Sequence, residues 1–209
     1  MKRTLYPLFV DLQDRPVLVV GAGPVGSHKT KALLAAGAAV TVVAPQASDF
    51  VQTAALRGEL RWQPRPFAES DLEGVYFVIA ATGDSAVNAE VAHAATARQL
   101  LVNAVDDPAS ASAYASAQLH RGGVTVAISS GGRAPAVARL LRELLEQLLP
   151  SDETLLSWVS QAESLRAEWQ QARVPLSRRY RSLLQHLANQ HSDEKPALTA
   201  VPSPMEVVS

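Results

Sequence analysis

The clearest chemical signal in the sequence is the run Gly21-Ala22-Gly23-Pro24-Val25-Gly26. Its glycine spacing is suited to a dinucleotide pyrophosphate: Gly21 turns the chain, Gly23 lets the backbone approach the phosphates, and Gly26 brings a helix against a sheet. A short apolar strand precedes the run and a helical pattern follows it. Free N–H groups and the dipole at the start of that helix attract an anion. The run therefore predicts a dinucleotide-binding turn, with an ordinary glycine turn as the alternative.

The residues leave the identity of the dinucleotide open. Many NAD-binding proteins carry an acid about 20 residues further on, where it holds the ribose hydroxyls. That position falls near Val43-Ala44-Pro45-Gln46, which contains no acid, and no Lys or Arg stands within ten residues on either side to meet a 2′-phosphate. Gln46, Ser48 or backbone groups beside Pro45 are the candidate ribose partners.

A pair of acids, Asp106 and Asp107, directly follows a predicted strand over residues 99–105. Ligand crevices of open α/β sheets lie at the carboxyl ends of the strands, so Asp106 is placed to act as a general base. Asp107 points the other way if the chain stays extended, which Pro108 favours. From the residues alone, a solvated turn is the alternative interpretation of this pair.

Further candidate binding residues lie in three places. The run Ser129-Ser130-Gly131-Gly132-Arg133 has the small residues and the positive charge of an anion-binding turn, and Pro135 suits the first turn of a following helix. A simple capped helix is the alternative there. Asn103 and Asn88 are candidate polar partners in the crevice, and Thr82-Gly83 ends the strand predicted beside the glycine turn. Ordinary turn and capping roles are the alternatives for these residues.

The elements that must position these residues alternate between strand and helix as far as residue 106. Such alternation indicates an α/β fold with a parallel sheet covered by helices on both faces. Several strands are continuously apolar, as strands buried on both faces should be. The predicted strands are residues 16–20, 39–44, 59–64, 75–81 and 99–105, and the predicted helices are residues 24–37, 47–57 and 85–98.

The pattern changes beyond residue 108. Strands on either side of Gly122-Gly123 predict an antiparallel hairpin. A helix from Pro135, ended by Pro150, carries one apolar stripe, and amphipathic helices are predicted over residues 152–172 and 176–189. The stripe consists of Val137, Leu140, Leu141, Leu144, Leu145 and Leu148.

Composition bounds the class of protein. The 209 residues suffice for one α/β domain and a smaller appendage, and a net charge of −1 gives no sign of a nucleic-acid surface. The absence of cysteine excludes disulfides, thiolate nucleophiles and iron–sulfur clusters. The five histidines lack the i, i+4 pairing of a helical zinc site, so no metal site is predicted. No run approaches the ~18 apolar residues of a membrane span, and no signal peptide is predicted. We expect a cytoplasmic protein.

Taken together, these motifs resemble the precorrin-2 dehydrogenases of sirohaem biosynthesis, which include the amino-terminal module of bifunctional sirohaem synthases. The shared order and spacing extend over about residues 5–150. The motifs are Tyr6-Pro7-Leu8-Phe9-Val10-Asp11-Leu12, the glycine turn with Lys29, Ala80-Ala81-Thr82 with Asn88, Asn103-Ala104-Val105-Asp106-Asp107, and Ile128-Ser129-Ser130-Gly131-Gly132 with Pro135, Ala138 and Arg139.

The resemblance implies a Rossmann-type parallel sheet with a small dimerisation segment and a C-terminal helical domain. We expect these over residues 1–112, 113–149 and 150–190, followed by a disordered tail over residues 191–209. It also implies NAD as cofactor, oxidation of precorrin-2 to sirohydrochlorin, and a homodimer whose active sites draw on both chains. Asp106 matches the aspartate tied to catalysis in the family, and a polycarboxylate substrate suits the turn at Ser129.

One departure from the family concerns the hairpin. Members carry bulky apolar residues and a proline in the strand before the Gly-Gly turn, where this chain has Ala-Tyr-Ala-Ser-Ala at residues 113–117. A wider or differently shaped tetrapyrrole pocket is expected, and the ferrochelatase activity that some members add stays open. Two alternatives are an NAD-binding regulatory module without chemistry and a structural dimer whose dehydrogenase function has been lost. Substrate-dependent NADH formation would exclude the first.

Overall fold

The computed structural model describes residues 4–105, 107 and 109–190, with side chains as far as residue 187. The strands are β1 (Pro16–Val20), β2 (Ala39–Val43), β3 (Arg61–Gln63), β4 (Phe77–Ala80), β5 (Leu101–Ala104), β6 (Ala117–Arg121) and β7 (Val124–Ile128). The α-helices are α1 (Pro24–Ala35), α2 (Asp49–Leu56), α3 (Ser85–Ala97), α4 (Pro135–Leu148), α5 (Asp152–Gln171) and α6 (Leu176–Gln190). The tail expected from residue 191 onward lies outside the described residues.

The first five strands form one parallel sheet in the order β3-β2-β1-β4-β5. The chain starts at the centre with β1, builds outward through β2 and β3, and returns to the other side of β1 with β4. This reversal creates a crevice at the carboxyl ends of the strands, where open α/β sheets bind their ligands. The predicted Rossmann-type α/β sheet, with helices in the C-terminal part of the chain, is confirmed.

The core lies on both faces of this sheet because side chains alternate along a strand. Val19 of β1 belongs to one buried cluster with Leu33 of α1 and Val51 of α2. Leu18, its neighbour, belongs to a second cluster with Val91 of α3. Helices α1 and α2 therefore cover one face of the sheet and α3 covers the other, which leaves the strand ends free for a ligand.

Several elements begin or end one or two residues inside their predicted bounds, and left-handed backbone explains two of these ends. Gly37, the last residue of the predicted helix, has φ 76°, a left-handed conformation that cannot continue a right-handed helix, so α1 ends at Ala35. Gln99 has φ 58°, so the chain turns there and β5 begins only at Leu101. A 3-10 helix, Glu69–Leu72, was not predicted from the sequence.

The chain divides into two compact units. One comprises the described residues up to Ala117 together with Ser129–Ala138, and the other comprises Gln118–Ile128 and the described residues from Arg139 onward. The expected boundaries at residues 112, 149 and 190 stay predictions. None of the helices in the described part of the chain combines the length and apolar character that a membrane crossing needs.

In the second unit, β6 and β7 form the expected hairpin. Gly122 and Gly123 have φ 53° and 78°, the left-handed pair typical of a tight hairpin turn. The first strand begins at Ala117, so residues 113–116 precede the hairpin and do not form its first strand, contrary to the expectation.

The hairpin is tied to the helices that follow it. The Arg121 guanidinium donates hydrogen bonds to the carbonyl oxygens of Glu146 at 2.7 Å and Leu149 at 3.0 Å, satisfying groups that the end of α4 leaves without partners. The Gly122 N–H donates to the Asp152 carboxylate at 2.9 Å. A Cβ at Gly122 would overlap the Asp152 carbonyl oxygen, so this close approach requires glycine.

Candidate cofactor site

A cleft of about 680 Å³ lies at the carboxyl ends of the parallel strands. It contains every residue predicted to bind the cofactor except Gly26, and it also contains Gln46, one of the candidate ribose partners. Its lining comprises residues 20–25, 43–46, 66–67 and 81–83, with Val87, Glu90 and Val105.

The three glycines of the turn have different surroundings. Gly21 has φ 105°, and a Cβ there would overlap the backbone of Ala81, the residue that follows β4. A Cβ at Gly26 would overlap the carbonyl oxygen of Gly21, so α1 can pack against the turn only without a side chain at this position. A Cβ at Gly23 would meet nothing within 4 Å. That open space, directed at the cleft, is where phosphate could approach the backbone.

Helix α1 begins at this open position. Gly23 is its N-cap, with an extended backbone, and Pro24 occupies the first helical position, where its missing N–H costs nothing. The N–H groups of Val25 and Gly26 belong to the first turn and have no intrahelical acceptor. With the helix dipole, they form a site for an anion, so the cradle fits a dinucleotide pyrophosphate.

Asn88 does not line the cleft, but it binds Thr82, which does. Its Oδ1 accepts hydrogen bonds from the Thr82 backbone N–H at 2.9 Å and from the Thr82 hydroxyl at 2.8 Å, and its Nδ2 donates to the Thr82 carbonyl at 3.1 Å. Asn88 is buried. The sequence predicted this residue as a polar partner in the crevice, whereas the structure shows it hydrogen-bonded to Thr82, whose backbone N–H and carbonyl it both binds.

The hydrogen-bonding groups of Ser48 have partners within the protein. Its hydroxyl lies 2.7 Å from the hydroxyl of buried Ser27 and accepts the Val51 N–H at 3.4 Å as the N-cap of α2. Its backbone N–H donates to the Ala22 carbonyl at 3.2 Å. Ser48 therefore ties the loop after β2 to the glycine turn, and Gln46 is the candidate ribose partner that does line the cleft.

Four residues of the cleft belong to no motif that the sequence analysis identified: Pro66, Phe67, Val87 and Glu90. Pro66 and Phe67 follow the end of β3, and Val87 and Glu90 lie one turn apart near the start of α3. The available signal was topological, since every segment after a parallel strand reaches the same edge of the sheet. Without the strand order, the sequence gives no indication that these four residues face the cleft.

The predicted base, Asp106, lies outside the described residues. Its neighbour Val105 lines the cleft, and the Val105 N–H donates to the Ala80 carbonyl at 2.9 Å, which fixes this strand end beside β4. Asp107 accepts hydrogen bonds at Oδ1 from the backbone N–H groups of Ala109 at 3.1 Å and Ser110 at 3.3 Å. Hydrogen bonds from the Ser110 hydroxyl and backbone lower the pKa of Asp107. Asp107 thus shapes a turn.

The loop that carries these acids is fastened at both ends. The Asn103 Nδ2 donates to the Ala113 carbonyl at 2.9 Å, and the Ser112 hydroxyl accepts the Val102 N–H at 2.9 Å. Residues 102–103 and 112–113 are therefore held together. This arrangement gives Asn103 a structural contact in addition to the substrate contact predicted for it.

The predicted anion turn is preformed in the first unit. The Ser129 hydroxyl accepts the Gly131 N–H at 3.1 Å, and the Ser130 hydroxyl accepts the Ala134 N–H at 2.9 Å. Gly131 has φ 66°, a left-handed conformation that favours glycine. Arg133 is exposed, and its Nε donates to the Ser130 carbonyl at 3.2 Å. Serine hydroxyls that accept from the backbone can still donate their own hydrogens.

No metal centre accompanies these sites in the portion of the chain that the structure covers. Within residues 4–105, 107 and 109–190, no three His, Cys, Asp or Glu side chains are grouped closely enough to hold a metal ion.

Two family models match the chain. Residues 8–117 match the model described as putative NAD(P)-binding, and residues 121–148 match the central region of sirohaem biosynthesis proteins. Siroheme synthase 1 of Serratia proteamaculans is 46% identical over 145 residues, which are 69% of this chain and 30% of that protein. Siroheme synthase 1 of Pectobacterium atrosepticum is 41% identical over 174 residues, 83% of this chain and 36% of that protein. The chain thus spans about a third of the length of these relatives.

A solved structure of similar size also matches. The structure of SirC, precorrin-2 dehydrogenase, has a TM-score of 0.71 and 30% sequence identity, and the match covers 90% of this chain and 92% of SirC. The parallel sheet, the cleft at its switch point and the glycine turn define a Rossmann-type dinucleotide-binding protein. Within that class, the chain belongs to the precorrin-2 dehydrogenase family shared by SirC and the siroheme synthases.

Proposed function

We propose that this chain oxidises precorrin-2 to sirohydrochlorin, with NAD as the hydride acceptor, in sirohaem biosynthesis. One observation carries this proposal. In this member of the family, a single cleft is lined both by the glycine turn and by the residue that follows β5. Gly23 and Val105 both line it, and Asp106 directly follows Val105. A dinucleotide on the glycine turn and a carboxylate after β5 would therefore act in the same space.

The reaction removes two hydrogens from the substrate. One C–H bond breaks with transfer of a hydride, and a proton leaves as conjugation extends, so the electron pair and both hydrogens are accounted for. When bound, NAD supplies the acceptor for the hydride. The chain's own task is to hold the cofactor on the turn and to take up the proton, which we assign to Asp106 as general base.

We propose that the turn at Ser129–Arg133 and Asn103 contact the substrate. The turn offers two serine hydroxyls fixed by the backbone, and Arg133 adds an exposed positive charge beside them. These groups suit carboxylate side chains of a tetrapyrrole. Asn103 donates one amide hydrogen to the Ala113 carbonyl, and its second amide hydrogen can be donated to a substrate carboxylate.

We propose a homodimer formed through α4. This helix presents five large apolar side chains at i, i+3, i+4, i+7 and i+11, a spacing that places them on one helix face. A stripe of this kind needs a partner surface. The exposed fractions are 51% for Val137, 54% for Leu140, 44% for Leu141, 46% for Leu144 and 73% for Leu148. We place the dimer in the cytoplasm, where NAD is available, and cell fractionation tests that location.

Anaerobic incubation of the protein with precorrin-2 and NAD tests the proposed reaction. We expect NADH and the sirohydrochlorin spectrum to appear together in equal amounts. Omission of either reactant and use of Gly23→Asp are the controls. Binding of NAD without NADH formation would contradict the proposal and favour a regulatory module. Addition of ferrous iron after completion tests whether the chain also makes sirohaem.

A further inference from the structure

A single side chain supplies the charge among the lining residues of the cofactor cleft. Of the eighteen residues that line it, Glu90 alone has an ionisable side chain, and the others are glycine, proline, aliphatic, Phe67, Thr82 and Gln46. Glu90 is exposed, and it contributes a carboxylate to the cleft. Among the lining side chains, a cofactor in this cleft thus meets one carboxylate and no cation.

This charge bears on the choice between NAD and NADP. Residues 43–46, at the end of β2, supply neither the acid that NAD-binding proteins often use nor a base for a 2′-phosphate. Glu90 and residues 43–46 line the same cleft, so a 2′-phosphate held at the end of β2 shares that space with the Glu90 carboxylate. Repulsion between two negative charges in the cleft disfavours the phosphate, and salt screens this repulsion over about 10 Å at 0.1 M.

The nearest basic residue along the chain is Arg65, which directly precedes the lining residue Pro66. Its guanidinium is already engaged: Nη1 donates to Asp71 Oδ2 and to the Pro66 carbonyl, both at 2.9 Å. Nη2 donates to Asp71 Oδ1 and to the side-chain oxygen of Gln63. The Asp71 side chain is 6% exposed and also accepts the Ala68 N–H at 2.9 Å. A bidentate pair held in this way is geometrically fixed.

We infer that Glu90 is the residue that makes this chain select NAD over NADP, with Asp71 holding Arg65 away from the cleft. The inference rests on the proposed cofactor site and goes beyond it by naming the source of discrimination. Exclusion of the 2′-phosphate is by repulsion from Glu90 and by the lack of a free cation among the lining residues. Selectivity therefore comes from α3 and the segment after β3 in place of an acid at the end of β2.

Binding of NAD and NADP to the full chain, measured by titration calorimetry without tetrapyrrole, tests the inference. We expect wild type to bind NAD more tightly. Glu90→Gln preserves the size of the side chain and should improve the NADP-to-NAD affinity ratio by about two- to tenfold, the effect of one charge removed about 10 Å from a phosphate near the protein surface. Glu90→Lys should improve it further. Asp71→Ala, checked for folding by thermal denaturation, should improve it by releasing Arg65.

Glu73→Gln removes the same charge from an exposed position outside the cleft and is the control. An unchanged ratio in Glu90→Gln, or an equal change in Glu73→Gln, would overturn the inference. Equal affinity of wild type for both dinucleotides would also overturn it while leaving the proposed dehydrogenation intact. Failure of wild type to bind either dinucleotide would overturn the cofactor site itself, and the inference with it.

Discussion

Asn88 and Thr82 are joined through both the donor and the acceptor of the Asn88 amide, at 2.8 to 3.1 Å, although six positions separate them in sequence. Asn88 is buried on α3, whereas Thr82 lies on the cleft. The Asn88 amide supplies hydrogen-bond partners for the backbone of Thr82, which a neighbouring strand would supply if β4 continued. The strand can therefore end at Ala80, and the chain after it lines the cofactor site.

Asn88→Ala should weaken NAD binding more than it affects turnover. Loss of the amide releases Thr82 and Gly83, so we expect the KM for NAD to rise about tenfold, with kcat changed less than about twofold, and stability to fall by about 2 kcal/mol. Steady-state kinetics and chemical denaturation measure these effects. His93→Ala, at an exposed position of the same helix, is the matched control and should change neither. An unchanged KM would show that the cleft does not depend on this contact.

Gly23 and Gly26 should respond differently to substitution. Gly23→Asp adds a carboxylate in open space facing the cleft, so the protein should fold with a Tm near that of wild type and lose NAD binding. Gly26→Ala places a methyl group on the Gly21 carbonyl, so stability should fall by about 1–3 kcal/mol. Thermal denaturation and calorimetric titration with NAD distinguish the two effects. Retention of normal NAD affinity by Gly23→Asp would remove the glycine turn from the cofactor site.

Asp71→Asn should destabilise the protein in a pH-dependent way. The hydrogen bond from Arg65 holds the pKa of Asp71 below its usual range. A lowered folded-state pKa contributes stability above the unfolded-state pKa of about 3.9, and that stability is lost as pH falls through the folded value. We therefore expect the free energy of unfolding of Asp71→Asn to be about 1 kcal/mol lower than that of wild type at neutral pH, and this difference to disappear in acid. Urea denaturation across this range measures it, and a difference independent of pH would contradict the ion-pair explanation.

The sequence predicted the fold and the cofactor turn because their signals are local. Residues 16–26 contain a strand, a glycine turn and a helix start in the order that the structure shows. Phe67 and Glu90 carry no such signal, because their presence in the cleft depends on which strands are neighbours. Asn88 and Ser48 were predicted as polar partners of a ligand, whereas the hydrogen-bond partners that the structure gives them are other parts of the chain. A polar residue near a strand end looks the same in sequence whether it binds a ligand or fixes a loop.

Leu144→Glu should convert the proposed dimer to a monomer. Leu144 lies in the middle of the apolar stripe of α4, and burial of a charge at a subunit interface costs several kcal/mol. Sedimentation equilibrium measures the change. Leu56→Glu is the control, since Leu56 is 89% exposed on α2 and outside the stripe. A monomeric wild type, or a dimer that persists in Leu144→Glu, would place the interface elsewhere or exclude it.

Asp106→Asn should abolish dehydrogenation while NAD binding stays intact, whereas Asp107→Asn should be mild. Asparagine preserves the shape of Asp106 but cannot accept a proton, so a loss of about 10² to 10⁴ in rate is expected for a positioned base. Asp107 uses Oδ1 to accept two backbone N–H groups, and an asparagine Oδ1 can do the same. The comparison thus separates proton transfer from loop shape, because both substitutions remove one negative charge from adjacent positions. Single-turnover formation of NADH, with NAD affinity measured separately, distinguishes the two variants. Near-normal NADH formation by Asp106→Asn would require another base, and equal losses in both variants would indicate that the charge of the loop matters more than the proton acceptor.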